Sequence, residues 1–406
     1  MYKIIALVLL GIIFLFNLFL RIRNYQARKR PIPDELKDVY DEERYQKWQA
    51  YTADRSKVKI IFSIIAFIST FAVIITDVFS LIVSSIANQY LSTLVILGIY
   101  IGYTMIIELI SDYILKIRIE GKYGFNKATT KTFVGDSIRK LLLISIITIG
   151  LTFLFILIYE AMGDYILILF SAILFVIILL VGFIFPILSK ASNRFAPLEE
   201  GQLRTRLMDM LTKNGYTVRD IKVMDASRRT TKSNAYFTGF GKTKTVVLYD
   251  NMLKAMSEDE IVAVFAHEMA HGLHRDSLKR SIYTLFSIVV LVVLTWLLVR
   301  FPEIHSSFGF AGVNYGFAVV LLLECLVPLV FTLLGIPSLM MSRRGEYKAD
   351  EFAAKEGYGE QLISGLKKLF NENLGDLNPD PIVVALSYSH PPLNQRIVAI
   401  RKAMKK

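Results

Sequence analysis

Seven long, nearly uncharged apolar runs constrain this chain more than any other feature. They cover approximately residues 4–20, 60–84, 91–110, 141–159, 165–188, 282–299 and 315–341. A helix needs about 20 apolar residues to cross a bilayer, so the first run is short but adequate. It resembles a secretory signal in length, but Arg21, Ile22 and Arg23 follow it with no small-residue cleavage pattern, and it reads as a retained membrane helix. The composition agrees. Hydrophobic residues make up 54% and charged residues 20%, with a mean hydropathy of +0.47, against about 25% charged in globular proteins. Collagen-like, disordered and disulfide-scaffold classes are excluded.

The formal net charge is +12, which in a soluble protein would suggest nucleic acid. Here the basic residues follow the membrane pattern. Arg21, Arg23, Arg28, Lys29 and Arg30 follow run one, and Lys116, Arg118, Lys122, Lys127, Lys131, Arg139 and Lys140 separate runs three and four. The stretch 190–280 and the tail from Arg343 are basic too. The connections 85–90, 160–164 and 301–314 contain no Lys or Arg, and only Lys3 and Arg300 fall on their side. The positive-inside rule then places the N-terminus outside and the C-terminus in the cytoplasm, and no nucleic-acid partner is needed. His305, in an outside connection, is expected to be solvated. The single cysteine, Cys325, excludes an intramolecular disulfide and reads as a small buried hydrophobe.

Chemistry enters at Ser257–His271. Ser257 with Glu260 forms a capping box that starts a helix. On it, His267 and His271 are one turn apart on one face with Glu268 between them, the HExxH arrangement in which two imidazoles bind zinc and the glutamate activates water. A catalytic zinc needs a third protein ligand. His274 is too far along the axis, and Gly272 and His274 are misplaced for the variant with a distal third histidine. Downstream, Glu346 and Asp350 are again four apart, which suits a carboxylate ligand followed by a carboxylate that orients a ligand imidazole. The metal then sits at the cytoplasmic ends of runs six and seven.

HExxH, a membrane hairpin and Glu-x-x-x-Asp on seven spans resemble the type I CAAX prenyl proteases, zinc-dependent a-factor-converting endopeptidases of the membrane. Glu120-Gly-Lys-Tyr-Gly-Phe-Asn-Lys127 is similar to that family's cytoplasmic loop, Asn193-Arg-Phe-Ala-Pro-Leu-Glu-Glu-Gly201 to its sequence after span five, and Ser389-His-Pro-Pro-Leu-Asn-Gln-Arg396 to its HPxxxxR element. The chain ends Lys405-Lys406 without a retention signal, which leaves a bacterial or archaeal cell membrane and the endoplasmic reticulum membrane both open. The resemblance implies a mainly α protein: seven helices forming a hollow barrel around a water-filled chamber, with a gluzincin-like zinc domain carrying a small β-hairpin. It also implies one zinc per chain, a prenylated peptide or protein substrate cut after its cysteine, contact with membrane lipid, and a monomer.

The expected organisation is 1–188 as membrane helices one to five, 189–281 as the first part of the protease domain, 282–341 as helices six and seven, and 342–406 as the second part. Residues 233–241 and 245–249 read as a hairpin turned by Gly239 and Gly241. An edge strand there would pair with extended substrate, with Asn234 and Ala235 as substrate-binding residues by resemblance. His390 is assigned as donor to the developing oxyanion, and Arg396 as holding that segment or a carboxylate. Glu324, mid-span, is expected to face a cavity or partner. Two other readings remain at this point. One is a quality-control protease of the HtpX type with the same zinc chemistry, and the other is a non-catalytic membrane scaffold, which would have no use for Glu268.

Overall fold

A computed structural model describes residues 1–228, 230–238 and 245–405, the side chains of 181–192, 237–238 and 277 excepted. Its N-terminal half is the helices α1 (Tyr2–Ala27), α2 (Glu42–Ile75), α3 (Gln89–Asp112), α4 (Thr130–Met162) and α5 (Ile166–Ser192). Their starts follow from capping chemistry: Asp41, Asn88 and Thr129 accept backbone N–H bonds from Arg44, Leu91 and Thr132. The faces turned outward are apolar, with Ile4, Val8, Ile12, Ile61, Ile65, Ile68, Leu142 and Ile146 all exposed. A surface of this kind suits hydrocarbon as its solvent, not water.

The chain continues as β1 (Phe195–Pro197), α6 (Gln202–Lys213), β2 (Asp220–Met224), β3 (Ala235–Thr238), β4 (Thr245–Tyr249), α7 (Glu258–Leu273) and α8 (Asp276–Arg300). Then come α9 (Tyr315–Leu321), α10 (Val327–Ala353), α11 (Gly359–Asn373), α12 (Pro381–Ser387) and α13 (Leu393–Met404). A π-helical segment, Leu322–Leu326, joins α9 to α10 and carries Glu324. Among the described residues 6 helical stretches are long and apolar enough to cross a membrane, not seven. The difference lies at Thr130–Leu180. There the runs at 141–159 and 165–188 are separated only by the turn Gly163–Tyr165, where Gly163 has φ 56°, and α4 and α5 are distinct helices on either side of it.

One end of the helices collects the connections that lack basic residues. Lys3 pairs with Asp77 at 2.8 Å, Tyr90 donates to Glu160 at 2.7 Å, and Trp296 donates to Asp164 at 2.7 Å. His305 lies here and corrects the expectation of a solvated side chain: its exposure is 0%. Its Nε2 is 2.9 Å from the Leu298 carbonyl, and its Nδ1 accepts from the Asn314 N–H at 3.3 Å. The short helix Pro302–Ser306 folds back so that both ring nitrogens replace water with backbone partners. Asn314 caps α9 from the same place.

The other end carries a four-stranded sheet in the order β1-β2-β4-β3. The expected hairpin is its β3–β4 pair, antiparallel with Ala235 opposite Leu248. Gly239 and Gly241, assigned to its turn, lie outside the described residues. Two further strands extend the sheet beyond a hairpin, β2 parallel to β4 and β1 antiparallel to β2. A parallel pair needs a crossover, and the chain supplies it between Met224 and Thr245. Beneath the sheet, Val262, Ala263, Phe265, Ala266 and Met269 of α7 are wholly or almost wholly buried.

Candidate metal centre

The site is built on α7. Ser257 accepts from the Glu260 N–H and Glu260 accepts from the Ser257 N–H, completing the capping box. Glu260 also accepts from Ser364 at 2.6 Å and Lys368 at 2.7 Å, which fastens the helix start to α11. At the far end, Arg275 takes a left-handed conformation, φ 55°, and turns the chain sharply into α8. That turn brings Asp276 back beside His271.

His267 and His271 meet Glu346 of α10 where the two helices pack. His267 Nε2 is 3.5 Å from Glu346 Oε2 and His271 Nε2 is 3.3 Å from Glu346 Oε1, and one ligand atom from each residue lies within 4.8 Å of the others. Ligands about 2.0–2.1 Å from a tetrahedral zinc stand roughly 3.3–3.4 Å apart, close to the two imidazole-to-carboxylate distances here. Glu346 Oε2 is buried without a hydrogen-bond partner, although His390 Nδ1 lies 2.9 Å from it at ion-pair range. The Arg396 guanidinium lies 3.5 Å from the same oxygen, so this buried carboxylate is kept in positive surroundings, as its burial requires.

The other imidazole nitrogens are held by carboxylates. His267 Nδ1 lies 2.9 Å from Asp350 Oδ1, and His271 Nδ1 lies 3.1 Å from Asp276 Oδ2. A donated Nδ1–H in each ring leaves Nε2 with its lone pair toward the cluster. Arg396 grips Asp350 with two bonds, Nε to Oδ2 at 2.8 Å and an NH₂ group to Oδ1 at 2.6 Å, the fork geometry that guanidinium supplies and ammonium does not.

The electrostatics favour positive charge at this spot. Burial opposes a charged His267, yet Asp350 and Glu346 outweigh it and push the imidazole up to about 9. His271 is raised for the same reason: burial works against it, and Glu346 and Asp276 prevail. Glu268, half-buried, is raised by desolvation, the direction that brings a carboxylate nearer to proton exchange at neutral pH.

The structure thus brings together His267, His271, Glu346, Asp350, His390 and Arg396. Arg396 bonds the Asp350 carboxylate and lies 3.5 Å from Glu346 Oε2. His390 is largely exposed, with its ring against Glu346. Ala235 is buried in β3, which is an edge strand packed on α7; Asn234 is exposed and its carbonyl accepts from the Tyr249 N–H. His274 caps the C-terminus of α7 and is not in the cluster. Asp276 was missed. The signal was an aspartate just after HExxH at the start of the next helix, and its space comes from Gly345, where a Cβ would sit 3.2 Å from Asp276 Oδ2.

Comparison with known proteins bears on both halves. A model for the CAAX prenyl protease N-terminal region, five membrane helices, matches residues 21–190, and the model of peptidase family M48 matches residues 197–404. The chain is 31% identical to a CAAX prenyl protease 1 homolog of Oryza sativa subsp. japonica, over 97% of this chain and 95% of that protein. It is 29% identical to CAAX prenyl protease 1 of Saccharomyces cerevisiae, over 95% of this chain and 92% of that one. The crystal structure of S. mikatae Ste24p is similar at a TM-score of 0.90 and 28% identity, covering 98% of this chain and 99% of that one.

Proposed function

This chain belongs to peptidase family M48 and is a multi-pass membrane metalloprotease, and from that premise we propose that it removes the C-terminal tripeptide of prenylated proteins ending Cys-a-a-X. The observation that carries the proposal is the convergence of His267, His271 and Glu346 with Glu268 on the same helix. The protease unit is assembled from 189–281 and 342–406. Residues 282–341 cross the membrane between those parts, and 1–188 supply the remaining helices of a seven-span hollow barrel. The site faces the cytoplasm and the N-terminus the other side, as the basic loops dictate. The protein works as a monomer.

His267, His271 and Glu346 would hold one zinc ion per chain, whose Lewis acidity lowers the pKa of water and polarises the scissile carbonyl. Glu268 takes the proton from the attacking water and returns it to the departing amine, which its raised, half-buried carboxyl suits. Asp350 and Asp276 fix the tautomer and aim of the two imidazoles, and Arg396 fixes Asp350. His390 donates to the oxygen that gains negative charge. The extended substrate pairs with the β3 edge through the backbone of Ala235, with the exposed Asn234 side chain beside it, which reads mainly backbone. Specificity comes from the lipid. Burying it among helices contributes about 0.8 kcal/mol per CH₂-sized group.

A farnesylated peptide ending Cys-a-a-X, incubated with purified protein and followed by mass spectrometry, should be cut after the cysteine. The unprenylated peptide should be cut far more slowly. Equal cutting of both, or scattered cutting of unfolded membrane proteins, would contradict the proposal.

A further inference from the structure

Three cations in the membrane half take no part in the chemistry above. Two cavities open between the helices. One, of about 620 Å³, is walled by α1, α2, α10 and residues 374–388. The second, of about 440 Å³, is walled by α2, α3 and Glu324. Arg21 and Lys59 border both cavities, and Arg55 borders the larger. Arg21 is half-buried, its Nε has no hydrogen-bond partner, and desolvation lowers its pKa; Lys59 is exposed at the cavity rim, with Glu120 as the acidic group acting on it. Arg55 donates to the Tyr51 hydroxyl at 2.8 Å and lies over the Tyr51 ring.

The carboxylates on these walls are engaged elsewhere. Glu108 pairs with Lys140 and Asp112 with Lys116. Glu324 accepts from Tyr100 at 2.7 Å and Thr70 at 3.3 Å. Asp376 accepts from the Asn378 N–H, and burial raises its carboxyl to about 6. A half-buried guanidinium with an unpartnered Nε at the membrane boundary is costly, and an anion in the larger cavity, which Arg55 and Lys59 also border, removes that cost.

The cavity also lies within reach of the metal cluster. Leu339, on its wall, precedes Glu346 by two turns of α10, about 10 Å along the axis. Tyr388, also on its wall, stands two residues before His390. Three extended residues span roughly 10 Å, the length of the tripeptide that departs.

We propose that Arg21, Arg55 and Lys59 form an anion subsite that binds the free α-carboxylate at the substrate's C-terminus and so measures three residues from the scissile bond. This rests on the proposed function above. The same chemistry would take a lipid phosphate, and the test separates the two sources.

The test is a binding titration on Glu268→Gln protein in nanodiscs, with four fluorescent peptides: farnesylated or not, and ending in a free acid or an amide. The lipid comparison reads the proposed function and the end-group comparison reads this inference. The farnesylated acid should bind about 10-fold or more tightly than its amide, the scale of a charge-assisted contact. Adding Arg21→Gln and Lys59→Gln should bring that ratio toward one, while Arg21→Lys and Lys59→Arg, which keep the charge, should preserve most of it. Equal binding of acid and amide, or a preference that survives loss of both charges, would overturn the assignment. So would binding that ignores the end group but changes between phosphatidylcholine and phosphatidylglycerol discs in a manner requiring Arg21 and Lys59, which would make the anion a lipid phosphate.

Discussion

His267 and His305 flank α8, one shortly before it and one shortly after, and both are buried with their ring nitrogens engaged. Their surroundings drive them in opposite directions. Around His305 are the Leu298 carbonyl and the Asn314 N–H. Desolvation lowers its pKa, and it is a neutral structural side chain. Around His267 are Asp350 and Glu346, and the imidazole is pushed up to about 9 although it too is buried. Burial therefore does not distinguish a site from a core. Carboxylate company does, because only it makes a buried position hospitable to a cation.

The largest effect expected from this contrast is kinetic. Glu268→Gln should reduce hydrolysis by about 10²–10⁴-fold with metal retained, measured by peptide cleavage beside metal analysis; wild-type turnover would break the mechanism. Next, Asp350→Asn should weaken metal affinity by about 10–100-fold, read by chelator competition, and Asp276→Asn should act in the same direction. An unchanged affinity in both would separate the carboxylates from the imidazoles they touch.

At the other end, His305→Ala should cost about 1–3 kcal/mol of stability by orphaning buried backbone groups, with no change in metal content. Thermal unfolding and metal analysis on one sample decide it.

A buried carboxylate whose desolvation outweighs the pull of the cation acting on it, Arg30, gives an effect confined to one side of the pH scale. Folding raises Asp376 from 3.8 to about 6, chiefly by desolvation. The folded state therefore holds that proton more tightly, a contribution present below about pH 4 and lost as pH rises through 6. Asp376→Asn should stabilise the chain at pH 8 by on the order of 1–3 kcal/mol, a gain that fades toward pH 4. Equal stabilisation at both would refute the assignment.

Much of this was legible in sequence because its signals are local. Apolar length gave the membrane helices, the four-residue spacing of His267 and His271 gave one helix face, and Glu346 with Asp350 repeated that spacing. What was not legible depends on tertiary return. His305 is polar and sits in a short connection, so nothing nearby in sequence reveals that the chain folds back to bury it. The β2–β4 pairing is parallel and joins segments with a crossover between them, so neither strand announces its partner. Asp276 needed the left-handed turn at Arg275 and the space at Gly345 before it could be seen to face His271. The cavities left the same kind of gap: Arg21 read as a positive-inside flank until the fold placed it on a cavity wall beside Lys59.

The central claim is that His267, His271 and Glu346 together hold one metal ion, and metal content per chain tests it most directly. Wild type and His305→Ala should each carry about one equivalent of zinc by elemental analysis, while His267→Ala and Glu346→Ala, purified alike and shown to be folded, should carry almost none. A full equivalent in folded Glu346→Ala would contradict the ligand set.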